Sequence, residues 1–151
     1  METRLHRRAA DMFRLFARFE YALKAAGFHR GDGNAEADWR TFAESLNGLF
    51  EAIEDPALGE AVDYFRAHPP KKQVIRDGLL EWDERQPQTD LEADRILLYV
   101  RRVRNNLFHG GKFNGRWFAP ERSDILLRHS MTILHACLAA SPAVREAFEQ
   151  E

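Results

Sequence analysis

The chain has a single cysteine among its 151 residues, Cys137, and it lacks any long hydrophobic run. One cysteine excludes an internal disulfide, which is typical of proteins in a reducing compartment. No stretch of the sequence comes near the roughly 18 continuous apolar residues that a membrane span requires. The first residues also lack the apolar core of a secretion signal. From these absences we expect a cytoplasmic protein without a membrane segment.

The chain also lacks an excess of charge of either sign, because 22 Lys and Arg residues nearly cancel 24 Asp and Glu residues. Such a balance excludes a global positive field, so any nucleic-acid site must be a local patch. The hydrophobic share of 44% and the charged share of 30% are ordinary for a soluble globular protein. A chain of this length fits one domain, and we expect that domain to cover residues 1–151.

Apolar residues recur at helical spacing along most of the chain, which predicts an all-α bundle of five to six helices. We expect helices over residues 3–26, 38–54, 56–68, 89–109 and 123–140, and a short last helix after Ser141-Pro142. The expected core residues are Met12, Phe13, Phe16, Phe19, Leu23, Phe42, Leu46, Leu49, Ile53, Leu58, Val62, Phe65, Ile96, Val100, Val103, Leu107, Leu127, Met131, Leu134 and Leu138.

Local signals refine these boundaries. Asp55 before Pro56 predicts an N-cap with proline at the first helical position. Thr89-Asp90-Leu91-Glu92 has the spacing of a capping box. Residues 74–82 favour a short hairpin around Asp77-Gly78, with a helical turn as the alternative. We expect loops over residues 28–37 and 112–120.

Residues 101–112 carry the chemistry: Arg101-Arg102-Val103-Arg104-Asn105-Asn106-Leu107-Phe108-His109-Gly110-Gly111-Lys112. Arginines bind phosphate oxygens with a planar fork, and a histidine transfers protons near neutral pH. At about 100° per residue, Asn105 and His109 share the face opposite the core stripe. Arg101 and Arg102 flank that face, while Arg104 lies nearer the edge of the stripe. These residue types are the ones that cleavage of RNA without a metal requires.

Residues 104–109 resemble the signature of the HEPN superfamily, an arginine, a polar residue that is often asparagine, three variable residues and a histidine. Residues 16–24 also resemble the first helix of stand-alone bacterial HEPN proteins. The resemblance implies a homodimer whose two signature helices face each other across a shared cleft. It implies RNA cleavage without a metal or other cofactor, in which Arg104 binds the phosphate, His109 acts as general acid and base, and Asn105 orients them.

Several alternatives stay open. Arg102 lies on the His109 face and fits a looser spacing of the signature, so either Arg102 or Arg104 is the key arginine. Gly111 stands where toxins silenced by a nucleotidyltransferase have a tyrosine, so we do not expect that control. Four basic residues are either an RNA-phosphate patch or an ordinary charged surface: Arg101, Arg102, Lys112 and Arg116.

The function predicted from these residues is that of an endoribonuclease, as a toxin or phage-defence effector with RNA as substrate and an antitoxin or other protein as partner. The alternative is a non-catalytic HEPN dimer that binds nucleotide, RNA or a protein. The simplest alternative is that Arg104, Asn105 and His109 form the solvated end of a helix in a structural protein. His129, His135 and Cys137 point in different helical directions, so we expect no metal site. We expect Trp82 and Trp117 to fill the core rather than to stack on bases.

Overall fold

A computed structural model describes residues 2–109, 112–113, 116–117 and 120–150 of the chain. For residues 2, 108, 109, 112, 113, 116 and 117 it describes the backbone alone. These ranges contain six helices and two antiparallel pairs of strands, so the mostly helical character predicted from the sequence is confirmed. The elements are α1 (Glu2–Ala25), α2 (Trp39–Glu44), α3 (Pro56–Ala67), β1 (Lys72–Arg76), β2 (Leu79–Asp83), α4 (Glu92–His109), β3 (Lys112–Phe113), β4 (Arg116–Trp117), α5 (Pro120–Ala140) and α6 (Pro142–Glu149).

The helices share one hydrophobic core. α1 packs against α5 and α6, α3 packs against α5, and α2 packs against α4. Most of the predicted core residues are buried there, and Leu49, Ile53, Leu107 and Met131 are partly buried. Phe13 is an exception, since 53% of its surface is exposed, and its assignment to the core was wrong. None of the helices in the described ranges has an apolar stretch of the length that a membrane span needs.

The predicted helix over residues 38–54 is wrong in its length. α2 ends at Glu44, and turns follow. Asn47 and Gly48 have φ angles of 42° and 77°, and left-handed residues interrupt a right-handed helix. The turn places Phe50 in the core, with 1% of its surface exposed. The Asn-Gly pair is itself a turn signal, so the sequence held the information that ends this helix.

The capping box predicted at the start of α4 does not form. The carboxylate of Glu92 accepts a hydrogen bond from Nε of Arg66 at 3.0 Å. The hydroxyl of Thr89 accepts from Nη1 of Arg40 at 2.9 Å and from the backbone amide of Leu91 at 3.3 Å. Arginines from α2 and α3 therefore take the acceptors that a capping box would use, and helix α4 begins three residues later than predicted. By contrast, the predicted cap at Asp55 is confirmed, because its side chain accepts from the amide of Ala57.

The hairpin predicted over residues 74–82 is confirmed, and the alternative helical turn is wrong. β1 and β2 pair antiparallel, with Ile75 opposite Leu80 and Gln73 opposite Trp82. Asp77 and Gly78 have φ angles of 53° and 76°, the two positive values that a tight hairpin turn needs. The predicted loop over residues 112–120 contains the short pair β3–β4, and α5 begins at Pro120 rather than at residue 123.

Candidate functional site

The polar residues near the end of α4 turn in different directions around the buried side chain of Val103. Arg102 and Asn106 point toward the hairpin. Nη1 of Arg102 donates to the carbonyl oxygens of Pro70, at 3.3 Å, and Arg85, at 3.1 Å. Nδ2 of Asn106 donates to the carbonyl oxygen of Lys71 at 2.8 Å. These two side chains therefore hold the chain where it enters and leaves the hairpin.

Arg104 lies on the side of α4 that faces α1, and it contacts its neighbour Asn105. Nη1 of Arg104 donates to Oδ1 of Asn105 at 3.0 Å, and its guanidinium lies over the ring of Phe16, 5.4 Å from the ring centre. Because a guanidinium carries donors alone, Oδ1 of Asn105 must face Arg104, and Nδ2 points away from it. Arg104 is half-buried and Asn105 is exposed, so the pair presents a cation together with an accessible amide donor.

Arg101 lies between these two groups and is partly buried. Its guanidinium stacks over the ring of Trp39 at 5.4 Å, and the indole of Trp39 donates to Glu20 at 3.1 Å. Nε of Arg101 is buried and has no acceptor among the described residues. Burial lowers the pKa of Arg101, and it outweighs the attraction of the carboxylates of Asp94 and Glu20. A buried cation without a full set of acceptors favours the binding of an anion.

A pocket of about 480 Å³ opens between β1 and α4. Its volume lies within the range of small-molecule sites. Among the described residues, the lining consists of three cations, three amides and one leucine, without a carboxylate: Lys72, Gln73, Leu98, Arg101, Arg102, Asn105 and Asn106. In a chain whose net charge is −2, this pocket is a local basic site suited to an anion.

The structure brings some of the predicted site residues together. Arg101, Arg102 and Asn105 line the same pocket, and Arg104 contacts Asn105. His109 is the last residue of α4, one helical turn after Asn105, and its side chain lies outside the described atoms. The side chains of Lys112 and Arg116 also lie outside them, and so does Gly111 altogether.

The sequence analysis missed two residues of the pocket, Lys72 and Gln73 at the start of β1. The signal available was the basic pair Lys71-Lys72 directly before a predicted strand. Its distance of about thirty residues from α4 gives no indication of the contact. Bonds from Arg102 and Asn106 to the main chain of Pro70 and Lys71 hold the start of this strand against the helix.

The other residues considered for chemistry have separate surroundings. His129 and Cys137 are buried, and His135 is exposed. The ring of His129 lies 5.1 Å from that of Tyr64. In the part of the chain that the structure describes, no group of three His, Cys, Asp or Glu residues is arranged to hold a metal ion.

No protein-family model matches the chain, and no curated protein or solved structure matches it significantly. The resemblance to the HEPN superfamily stays a prediction that rests on residues 16–24 and 104–109. In the structure, the first segment lies in α1 and the second in α4. The contact of Arg104 with Phe16 joins the two segments.

Proposed function

We propose that the protein is a metal-independent endoribonuclease of the HEPN type that acts as a homodimer. The observation that carries the proposal is the bond between Arg104 and Asn105, one turn before His109, beside a pocket with three cations and no carboxylate. RNA supplies both the anion that such a site binds and the 2′-hydroxyl that serves as nucleophile. The protein needs to supply only proton transfer and charge stabilisation.

The reaction divides among three residues. His109 exchanges protons with the reacting oxygens as the 2′-oxygen forms a bond to phosphorus and the bond from phosphorus to the 5′-oxygen breaks. The proton lost by the 2′-hydroxyl is balanced by the proton gained by the leaving 5′-oxygen. Arg104 stabilises the charge on the non-bridging oxygens, and the Nδ2 of Asn105 donates to the ribose or phosphate.

The test compares the wild type with Arg104→Ala and His109→Ala on a mixed RNA substrate in EDTA. Matched controls are Arg14→Ala, which removes an exposed arginine of α1, and His135→Ala, which removes an exposed histidine of α5. We expect the wild type and both controls to cleave RNA and leave 5′-hydroxyl ends, while the two site variants lose cleavage. Equal cleavage by all five proteins would place the activity elsewhere.

The homodimer has its own test. In a site shared across a two-fold axis, Arg104 of one subunit acts with His109 of the other. Mixing the Arg104→Ala and His109→Ala proteins, with exchange of subunits, then creates one intact site in each mixed dimer. Activity recovers to about a quarter of the wild-type value when subunits mix randomly. A site within one subunit predicts no recovery, and a monomer at assay concentration contradicts the dimer.

We extend the proposal to a cytoplasmic toxin or phage-defence effector with an antitoxin or other protein partner. Expression of the wild type should then slow cell growth, while expression of His109→Ala should not. The second candidate is a non-catalytic HEPN dimer that binds nucleotide, RNA or a protein, and the exposed apolar side chains of Ile75 and Leu80 favour it. A folded wild type that binds RNA or a partner but cuts no RNA would support this second candidate.

A further inference from the structure

Trp82 does not fill the core as the sequence analysis expected, since 46% of its surface is exposed. It shares one face of the hairpin with Ile75 and Leu80, because directly opposite residues and residues two positions apart lie on the same side of a strand pair. Ile75 and Leu80 are 70% and 65% exposed. The face is thus an apolar wall centred on two strands, and its large aromatic ring is accessible.

This wall adjoins the basic pocket. Gln73 lines the pocket and lies directly opposite Trp82 in the hairpin register. The Cβ atoms of such a pair are about 5 Å apart, so Trp82 is the next side chain beyond the pocket on the β2 side. Arg101 stands on the α4 side of the same pocket. The accessible indole of Trp82 therefore lies across the hairpin from Gln73, which shares its pocket with the partly buried guanidinium of Arg101.

The basic pocket and the apolar wall beside it are together complementary to a nucleotide, which has a phosphate and a base. Arg101 has a buried Nε without an acceptor among the described residues, and Lys72 adds a second cation at the pocket. The described lining of the pocket contains no carboxylate. The carboxylates nearest these cations lie outside it: Asp94 and Glu20 attract Arg101, and Asp83, opposite Lys72 in the hairpin register, is itself bonded to Arg76 and Arg85. A basic groove with an aromatic ring at its edge is the arrangement by which proteins hold single-stranded nucleic acid.

We propose that the β1–β2 hairpin and α4 form a subsite for single-stranded RNA, in which a phosphate binds Arg101 and Lys72 and the adjoining base stacks on Trp82. The identity of the ligand rests on the proposed ribonuclease function. The subsite lies on the hairpin side of α4, whereas Arg104 lies against Phe16 of α1. Because every base has a stacking face and a paired base does not expose it, the subsite selects unpaired RNA rather than a sequence.

The positive charge of the pocket favours RNA over a protein as the molecule that binds to this wall. The exposed apolar side chains alone suit a protein partner equally well. The adjoining lining, however, offers cations and amides to an anion at the point where the wall ends. A protein contact on the wall is therefore the competing occupant, and the experiment separates the two.

The test measures the affinity of the folded His109→Ala protein, which leaves RNA uncut, for a short single-stranded RNA that carries 2-aminopurine. We expect Trp82→Ala to weaken binding by about 5- to 100-fold and to remove the fluorescence quenching of the stacked base. Trp82→Phe should keep most of the affinity, and Arg101→Met should weaken the binding measurably through the loss of one phosphate contact. Matched controls are Tyr21→Ala, an exposed aromatic of α1, and Leu79→Ala, on the opposite face of the hairpin. The same RNA as a duplex should bind more weakly and show no dependence on Trp82.

The outcomes distinguish the subsite from the ribonuclease. A wild type that cleaves RNA, with a Trp82→Ala variant that binds it as tightly as its parent, overturns the subsite and leaves the ribonuclease standing. Binding of single strands that depends on Trp82 in a protein that cuts no RNA supports the subsite and ends the ribonuclease proposal. A change of oligomeric state in Trp82→Ala at unchanged RNA affinity assigns the wall to a protein contact and overturns the subsite, as does a failure of the wild type to bind any RNA.

Discussion

The side-chain amide of Asn106 donates to the main-chain oxygen of Lys71 at 2.8 Å, and this bond ties the end of α4 to the start of the hairpin. The preceding residues of the same connection are held in the same way. The carbonyl oxygen of His68 accepts from Arg122 at 3.1 Å, and that of Pro70 accepts from Arg102 at 3.3 Å. Side chains from α4 and α5 thus set where the hairpin lies, and the hairpin supplies one wall of the basic pocket.

Asn105 and Asn106 form a natural matched pair, because they are neighbours of one residue type in the same helix. We expect Asn106→Ala to lower the free energy of unfolding by about 0.5–1.5 kcal/mol, since it leaves the carbonyl of Lys71 without its donor. Asn105→Ala should lower it by less, because the bond it removes joins two neighbours in the same helix. The gain in helix propensity is the same in both variants and cancels. Urea denaturation measures the difference, and equal stability of the two variants contradicts it.

We expect the loss of RNA cleavage to be larger in Asn105→Ala than in Asn106→Ala, the reverse of the order expected for stability. Asn105→Ala should lose activity because Asn105 contacts Arg104, while Asn106→Ala should keep most of its activity at a temperature where it is folded. A larger loss of activity in Asn106→Ala would assign the site to the hairpin side of α4.

Arg104→Lys should distinguish the two candidate arginines. A lysine is a point donor and cannot contact both Asn105 and a phosphate in the manner of a guanidinium, so we expect kcat to fall by about 100-fold or more. Arg102→Lys should instead lower the stability, because Arg102 bonds two main-chain carbonyls, and should affect kcat less. The measurement is single-turnover cleavage of RNA alongside thermal unfolding. Loss of kcat in Arg102→Lys alone would make Arg102 the key arginine.

Arg101→Met should separate binding from stability. Methionine keeps the apolar packing against Trp39 and removes a partly buried cation, so we expect the free energy of unfolding to fall by no more than about 0.5 kcal/mol, or to rise. The slope of log K for single-stranded RNA against log salt should decrease by about 0.7, the value for one phosphate contact. Arg14→Met, at an exposed arginine, is the control and should leave the slope unchanged. An unchanged slope in Arg101→Met would show that Arg101 binds no phosphate.

His129 should make the fold sensitive to acid. Burial, together with the nearby cation of Arg128, lowers the pKa of His129 below its ordinary value, against the opposing effect of Glu60. The unfolded chain therefore takes up a proton at a higher pH than the folded chain. The stability from neutral His129 is present above about pH 6.5 and is lost as the pH falls toward the lowered pKa.

The urea midpoint of the wild type should consequently fall between pH 7 and pH 5 by more than that of His129→Gln. The exposed residue His135 provides the control, since His135→Gln should behave as the wild type does. An identical pH dependence in all three proteins would show that His129 stays solvated.

The sequence by itself predicted most of the local structure, because local signals act within a few residues. The cap at Asp55 and the Asp77-Gly78 turn are examples, since each depends on the side chain or backbone freedom of one or two residues. One prediction failed because distant residues decide, whereas the length of α2 was missed although the local Asn47-Gly48 turn signals its end. Thr89 and Glu92 have the spacing of a capping box, but Arg40 and Arg66 reach them from other helices.

The candidate site divides in the same way. The sequence determined that arginines, asparagines and a histidine follow each other along the last turns of α4, because helical periodicity places Val103 in the core and its neighbours outside it. Only the tertiary structure determines which of these side chains form hydrogen bonds to other segments of the chain. Arg102 and Asn106 donate to main-chain oxygens of the hairpin connection, whereas Arg104 lies over Phe16 and donates to Asn105, because α1 packs on the Arg104 side of the helix.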